Sequence, residues 1–127
     1  MEQYLIDTNV VSDYFSELLP EAGMTLIDEA IDATPNLSII TQIELLSWKT
    51  DGMAEQQVKN FIQDSIIWEV TPNVVTQCVK IRRSKKIKTP DAIIAATALS
   101  NGFTIITNNE KDFENIRGLK IINPHKL

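Results

Sequence analysis

"KTPDAIIAATALSNGFTIIT", residues 88–107, reads as a helix, a stop and a strand in immediate succession. Pro90 suits the first turn of a helix, where its missing N–H costs nothing. Ala92, Ile93, Ile94, Ala95, Ala96, Ala98 and Leu99 then make that helix apolar almost all round, which marks it as enclosed. Gly102 fits the position just past a helix end, and FTIIT at 103–107 reads as a strand. Outward from this unit, short apolar runs alternate with longer helical patterns. Strands are expected at 3–7, 36–40, 66–70, 103–107 and 119–123. Helices are expected at about 8–16, 21–33, 41–49, 54–64, 72–84, 90–101 and 110–115. This β–α rhythm predicts an α/β fold with a central parallel sheet and helices on both faces. Such sheets bind ligands beyond the carboxyl ends of their strands.

A chain of 127 residues fits one domain with a real core, and 43% hydrophobic with 23% charged residues suits an ordinary globule. The lone Cys78 excludes an internal disulfide and fits a reducing compartment. No apolar run approaches the ~20 residues of a membrane helix, and MEQYLIDTN lacks the pattern of a signal peptide, so a cytoplasmic protein is expected. The net charge of −5 argues against a bulk nucleic-acid binder. The average hides a cluster, however. Lys80, Arg82, Arg83, Lys85, Lys86 and Lys88 hold six of the twelve basic residues within nine positions. A local cationic face can therefore coexist with an acidic whole, and Arg82, Arg83, Lys85 and Lys86 are candidate RNA contacts. The bland reading of the run is a solvated helix end.

Four acids occupy matching places. Asp7 ends the first strand, Glu44 lies just after the second, Asp91 starts the enclosed helix and Asp112 follows FTIIT. In a parallel sheet these places lie on one edge, so the four are expected to converge. Each also has a structural reading. Thr41-x-x-Glu44 has the spacing of a capping box. Thr89 could cap the enclosed helix, with Asp91 favouring its dipole. Asp7 could cap the first helix, and Asn109 or Asp112 the short one. Capping leaves unexplained why the strands are nearly uncharged while acids recur at one edge. Converging carboxylates repel, and some protonate unless a cation neutralises them. Mg²⁺ or Mn²⁺ suits such oxygen ligands. The chemistry implied is metal-assisted attack of water on a phosphodiester.

The remaining singles are quieter. His125 is the only histidine, which excludes a metal-free ribonuclease mechanism with two histidines. Cys78 reads as core. Trp48 and Trp68 read as packing residues before base-stacking ones. The four glycines are too dispersed for a phosphate-binding loop.

Taken together, LIDTNV, TQIELL, TPDAIIAATALSNG and IITNNEKDF resemble the PIN domain, and more narrowly the VapC-type ribonuclease toxins of type II toxin–antitoxin systems. The resemblance covers nearly the whole chain and implies a single PIN-like nuclease domain over 1–127 with a three-layer α/β/α fold. It implies an endoribonuclease dependent on Mg²⁺ or Mn²⁺, with Asp7, Glu44, Asp91 and Asp112 as catalytic and metal-binding acids. Asn9, Thr107 and Asn109 match supporting polar positions. An RNA substrate, a cognate antitoxin and a homodimer are the partners it implies. Three rivals stand beside this reading: a housekeeping RNA-processing nuclease, a catalytically idle binding module, and a phosphotransfer domain using Asp7. The last usually carries D-x-D where this chain has D-T-N.

Overall fold

A computed structural model of the protein describes residues 2–127. The elements run β1 (Tyr4–Ile6), α1 (Thr8–Phe15), α2 (Glu21–Asp32), β2 (Asn36–Ser38), α3 (Ile39–Leu46), α4 (Gly52–Gln63), β3 (Ile66–Trp68), α5 (Pro72–Ser84), α6 (Thr89–Asn101), β4 (Thr104–Ile106), α7 (Glu110–Phe113) and β5 (Ile121–Ile122). The five strands form one sheet in the order β3-β2-β1-β4-β5, with every pairing parallel. The expected α/β/α architecture is thus observed. Among the described residues no helix is long and apolar enough to cross a membrane.

Side-chain alternation on the central strands builds the two outer layers. Leu5 and Ile105 point into a core shared with Val74, Ile81, Ile94, Ala95 and Phe113, which belong to α5, α6 and α7. Ile6 and Ile106 point the other way, towards Val10, Ile27, Leu45 and Phe61 of α1 to α4. Strands covered on both faces need continuous apolar sequence, which YLI and TII supply. Helix α6 lies under the sheet with Ala92, Ala95, Ala96 and Ala98 fully buried. Its small residues allow close approach to α5. Gly102 ends it with φ of +70°, a conformation that glycine adopts without strain.

The boundaries differ from the sequence reading where caps take over from strands. The second strand stops at Ser38, whose hydroxyl accepts from the Ile40 N–H and starts α3 two residues earlier than expected. Thr41 and Glu44 therefore lie within α3, and the expected capping box does not form. Likewise Lys88, not Thr89, precedes the first turn of α6, without a side-chain cap bond. The capping readings of Asp7 and Asn109 do hold: Asp7 accepts from the Thr8 N–H and Asn109 from the Asp112 N–H.

Gly23 on α2 lies against the backbone of Pro124, beyond β5. A Cβ there would stand 2.3 Å from the Pro124 carbonyl oxygen. Alanine normally favours a helix over glycine by ~1 kcal/mol. Here overpacking against backbone should win, and Gly23→Ala should destabilise by about 1–3 kcal/mol in a urea titration.

Candidate active site

Asp7, Glu44 and Asp91 line one open cleft of about 370 Å³, together with Thr8, Asn9, Ser12, Asp13 and Trp48. It opens at the carboxyl edge of the sheet, where β1 hands over to α1. Two larger hollows, of 740 and 480 Å³, share Glu2 and Gln3 at the opposite edge and hold none of the four acids. Size alone therefore does not locate the chemistry.

Asp7 is 4% exposed. Its Oδ1 accepts from the Thr8 N–H at 2.8 Å, and its Oδ2 from Thr107 Oγ1 at 2.7 Å and Asn9 Nδ2 at 3.0 Å. The in-register pairs Leu5–Ile105 and Ile6–Ile106 make this possible, because the next residues along are Asp7 and Thr107. Burial nevertheless pushes the Asp7 carboxyl above the usual range; the three hydrogen bonds oppose that shift and the nearby Glu44 charge adds to it. Glu44 is half-buried on α3, and its Oε1 accepts from Thr8 Oγ1 at 2.7 Å. The same hydroxyl donor lies 3.1 Å from Thr41 Oγ1, so Thr41 and Thr8 together fix the acid.

Asp91 lies in the first turn of α6, half-buried. Its carboxyl is pushed up to about 6, first by burial, then by the charges of Asp112 and Asp7, a hydrogen bond with Asp112, and the charge of Glu44. Asp91 thus lies within the electrostatic reach of the other three acids, two of which share its cleft. Asp112 completes the group from α7, beside the cleft. Its Oδ2 accepts from Asn109 Nδ2 at 2.6 Å. Asn109 is tied in turn to Thr107, whose hydroxyl accepts the Asn109 N–H at 3.0 Å.

The donors at this edge are carboxylate oxygens, and the lone cysteine is buried in the core around α5 and α6. A hard, oxygen-seeking divalent ion suits that set better than a soft metal. Among the described residues, no three His, Cys, Asp or Glu side chains stand already gathered in ligating geometry.

A model of the PIN domain matches residues 4–119. The chain belongs to the PIN-domain family. Among curated proteins it resembles "Ribonuclease VapC1" of Methanocaldococcus jannaschii, with 33% identity over 92% of this chain and 85% of the relative. It also resembles "VapC ribonuclease Y4jK" of Sinorhizobium fredii, with 30% identity over 94% of this chain and 96% of the relative. Among solved structures, a toxin–antitoxin complex from Klebsiella pneumoniae contains a chain 30% identical, with a TM-score of 0.76 over 98% of this chain and all of that one.

Within this PIN domain the basic run divides. Arg82, Arg83 and Lys86 are exposed, although Arg82 Nε also donates to the Ile87 carbonyl at 3.4 Å. Lys85 differs from its neighbours in being half-buried. Its ammonium donates to the carbonyls of Lys111, Asp112 and Glu114. Five residues escaped the sequence reading as site components: Thr8, Ser12, Asp13, Thr41 and Asn108. Asn108 donates to Asp13 Oδ2 at 2.8 Å, and its N–H to Asn9 Oδ1 at 3.3 Å. His125 Nε2 meets the same Asp13 oxygen at 2.8 Å. No spacing signal joins residues so far apart, except that Thr8 is adjacent to Asp7. Trp48 lines the cleft as well as packing against the α1–α4 core, whereas Trp68 stacks edge-on against Phe103 and donates to Asn36.

Asp91 ionises less readily in the folded protein, with its value moved from 3.8 to about 6. The stability it contributes is present below the lower value and lost as pH rises through the upper one. In chelator, Asp91→Asn should therefore match the wild type near pH 4 and melt higher above pH 6. Allowing for solvent screening of this half-exposed group, the gain should be about 1–2 kcal/mol, read by thermal melting across the pH series.

Proposed function

We propose that this PIN domain is a divalent-metal-dependent endoribonuclease that hydrolyses RNA phosphodiester bonds, the toxin of a type II toxin–antitoxin pair. The gathering of Asp7, Glu44 and Asp91 in one cleft, with Asp112 close enough to act on Asp91, carries the reading. A set of helix caps has no reason to share a field. Two relatives that match most of this chain are named VapC ribonucleases, and a similar solved chain comes from a toxin–antitoxin complex.

In this reading Asp7, Glu44, Asp91 and Asp112 hold Mg²⁺ or Mn²⁺. The ion, when bound, lowers the pKa of water and stabilises charge on the phosphate. The protein's own work is positioning. Thr107 and Asn9 lock the Asp7 carboxylate in one orientation, Thr8 and Thr41 lock Glu44, and Asn109 locks Asp112. Asp91 rides on the enclosed α6, which resists displacement; small misplacements of reacting groups are costly in rate. Arg82, Arg83 and Lys86 supply a cationic border for the RNA backbone. Exposed Leu18, Ile43, Leu46 and Met53 offer apolar surface for an antitoxin or a second copy.

Purified protein should cleave total RNA with Mg²⁺ or Mn²⁺ and not in chelator. Asp91→Asn should abolish cleavage and relieve growth arrest on expression, while remaining folded. Full activity in Asp91→Asn would return the acid to a role at the helix start. RNA binding should weaken with salt, and replacing Arg82, Arg83 and Lys86 by Gln should flatten the log–log slope by about 0.7 for each phosphate no longer neutralised.

A further inference from the structure

Lys85 follows the last turn of α5 in extended conformation, with φ of −152° and ψ of 157°. That turn carries its side chain away from the exposed Arg82, Arg83 and Lys86. The ammonium reaches the carbonyl oxygens of Lys111 at 3.2 Å, Asp112 at 2.9 Å and Glu114 at 2.7 Å. An ammonium has three N–H donors, and three acceptors use all of them. The acceptors are the unpaired carbonyls at the end of α7, where a cation is favoured.

Helix α7 needs such a hold. It has four residues, far too few to persist alone, since a single turn does not repay its nucleation. Phe113, fully buried, anchors its underside, and Asn109 caps its start. Lys85 closes its other end. Asp112 lies between these fixings and is held by both: its side chain and N–H by Asn109, its carbonyl by Lys85. Lys85 also sits in the short connection between α5 and α6, so it ties the main chain of Asp112 to the segment that leads into Asp91.

We infer that Lys85 is a positioning residue that fixes α7, and with it the Asp112 carboxylate, against α6, and is not an RNA contact. The inference rests on the reading of Asp112 as a site acid. It separates one lysine from a run in which its neighbours face solvent.

Lys85→Met keeps an unbranched stem only one atom shorter and removes its donors. Hydrogen exchange by mass spectrometry should show amides 110–116 exchanging on the order of tenfold faster, with α6 unchanged. Mn²⁺ affinity by calorimetry and kcat should each fall about tenfold, while KM and the salt slope of RNA binding hold. Lys85→Arg, which replaces a compact head by a planar fork, should show the same changes at smaller scale and guards against a misfolded Met variant. Unchanged exchange at 110–116, with a slope reduced by about 0.7, would make Lys85 a phosphate contact and overturn the inference. Faster exchange with unaltered Mn²⁺ affinity and kcat would overturn it too, leaving a structural tie only. If the wild type neither binds Mn²⁺ nor cleaves RNA, the nuclease reading fails, while the exchange data still decide whether Lys85 holds α7.

Discussion

The Asp7 carboxylate sits almost out of reach of solvent, and burial disfavours its charge. A buried carboxylate is tolerated where hydrogen bonds replace water, and here three donors supply them: the Thr8 N–H and the Asn9 amide in the first turn of α1, and the Thr107 hydroxyl after β4. That requirement reaches through the fold. Thr107 arrives only because β4 runs parallel to β1 with Ile106 opposite Ile6. A slip of one residue between these strands would turn Leu5 and Ile6 to the wrong faces and remove the Thr107 hydroxyl from Asp7. The core and the site therefore select the same register. The hydroxyl that donates to Asp7 also accepts from the Asn109 N–H, and Asn109 holds Asp112. Two acids more than a hundred residues apart in the chain are thus joined by one short relay of side chains.

Residues 88–107 announced the architecture because α6 has no polar face and β4 no exposed one. Burial on all sides leaves a simple trace in sequence. The shorter strands and shifted helix starts were harder to read for a physical reason. Ile39 and Ile40 are β-branched and continue the apolar look of NLS, yet Ser38 can cap a helix as readily as Thr41 can. Which serine or threonine takes the role is decided by the sheet: β2 pairs with β3 as far as Ser38 opposite Trp68, and the strand then yields to the cap. Sequence patterns record preferences, and tertiary pairing breaks the tie between them.

The edge position of the four acids was legible because parallel topology sends every strand end to one side. Of the side chains that support them, Asn9, Thr107 and Asn109 were legible through the family resemblance, because they fall inside its motifs. The Asp13–Asn108–His125 group was not. It joins α1, the loop after β4 and the segment after β5, and its members are ordinary surface residue types. The basic run shows the same boundary. Six cations in nine positions declare a positive region, but one dimension cannot tell which of them turns inward. Lys85 does so because α5 ends there, freeing its backbone to extend and aim the ammonium at α7.

Capping and catalysis are not competing explanations at this edge. The N-terminus of a helix favours a carboxylate through its unpaired N–H groups and its dipole. Asp7 uses one oxygen to cap α1, and Asp91 stands in the first turn of α6. These placements partly offset the repulsion that the group creates, and so let the fold carry more negative charge at one edge than solvent alone would permit. Asp91 nevertheless remains raised to about 6, first by its own burial and then by the charges of Asp112, Asp7 and Glu44. On the proposed nuclease reading, a divalent cation held at this edge would neutralise the carboxylate charge that the helix ends leave uncompensated.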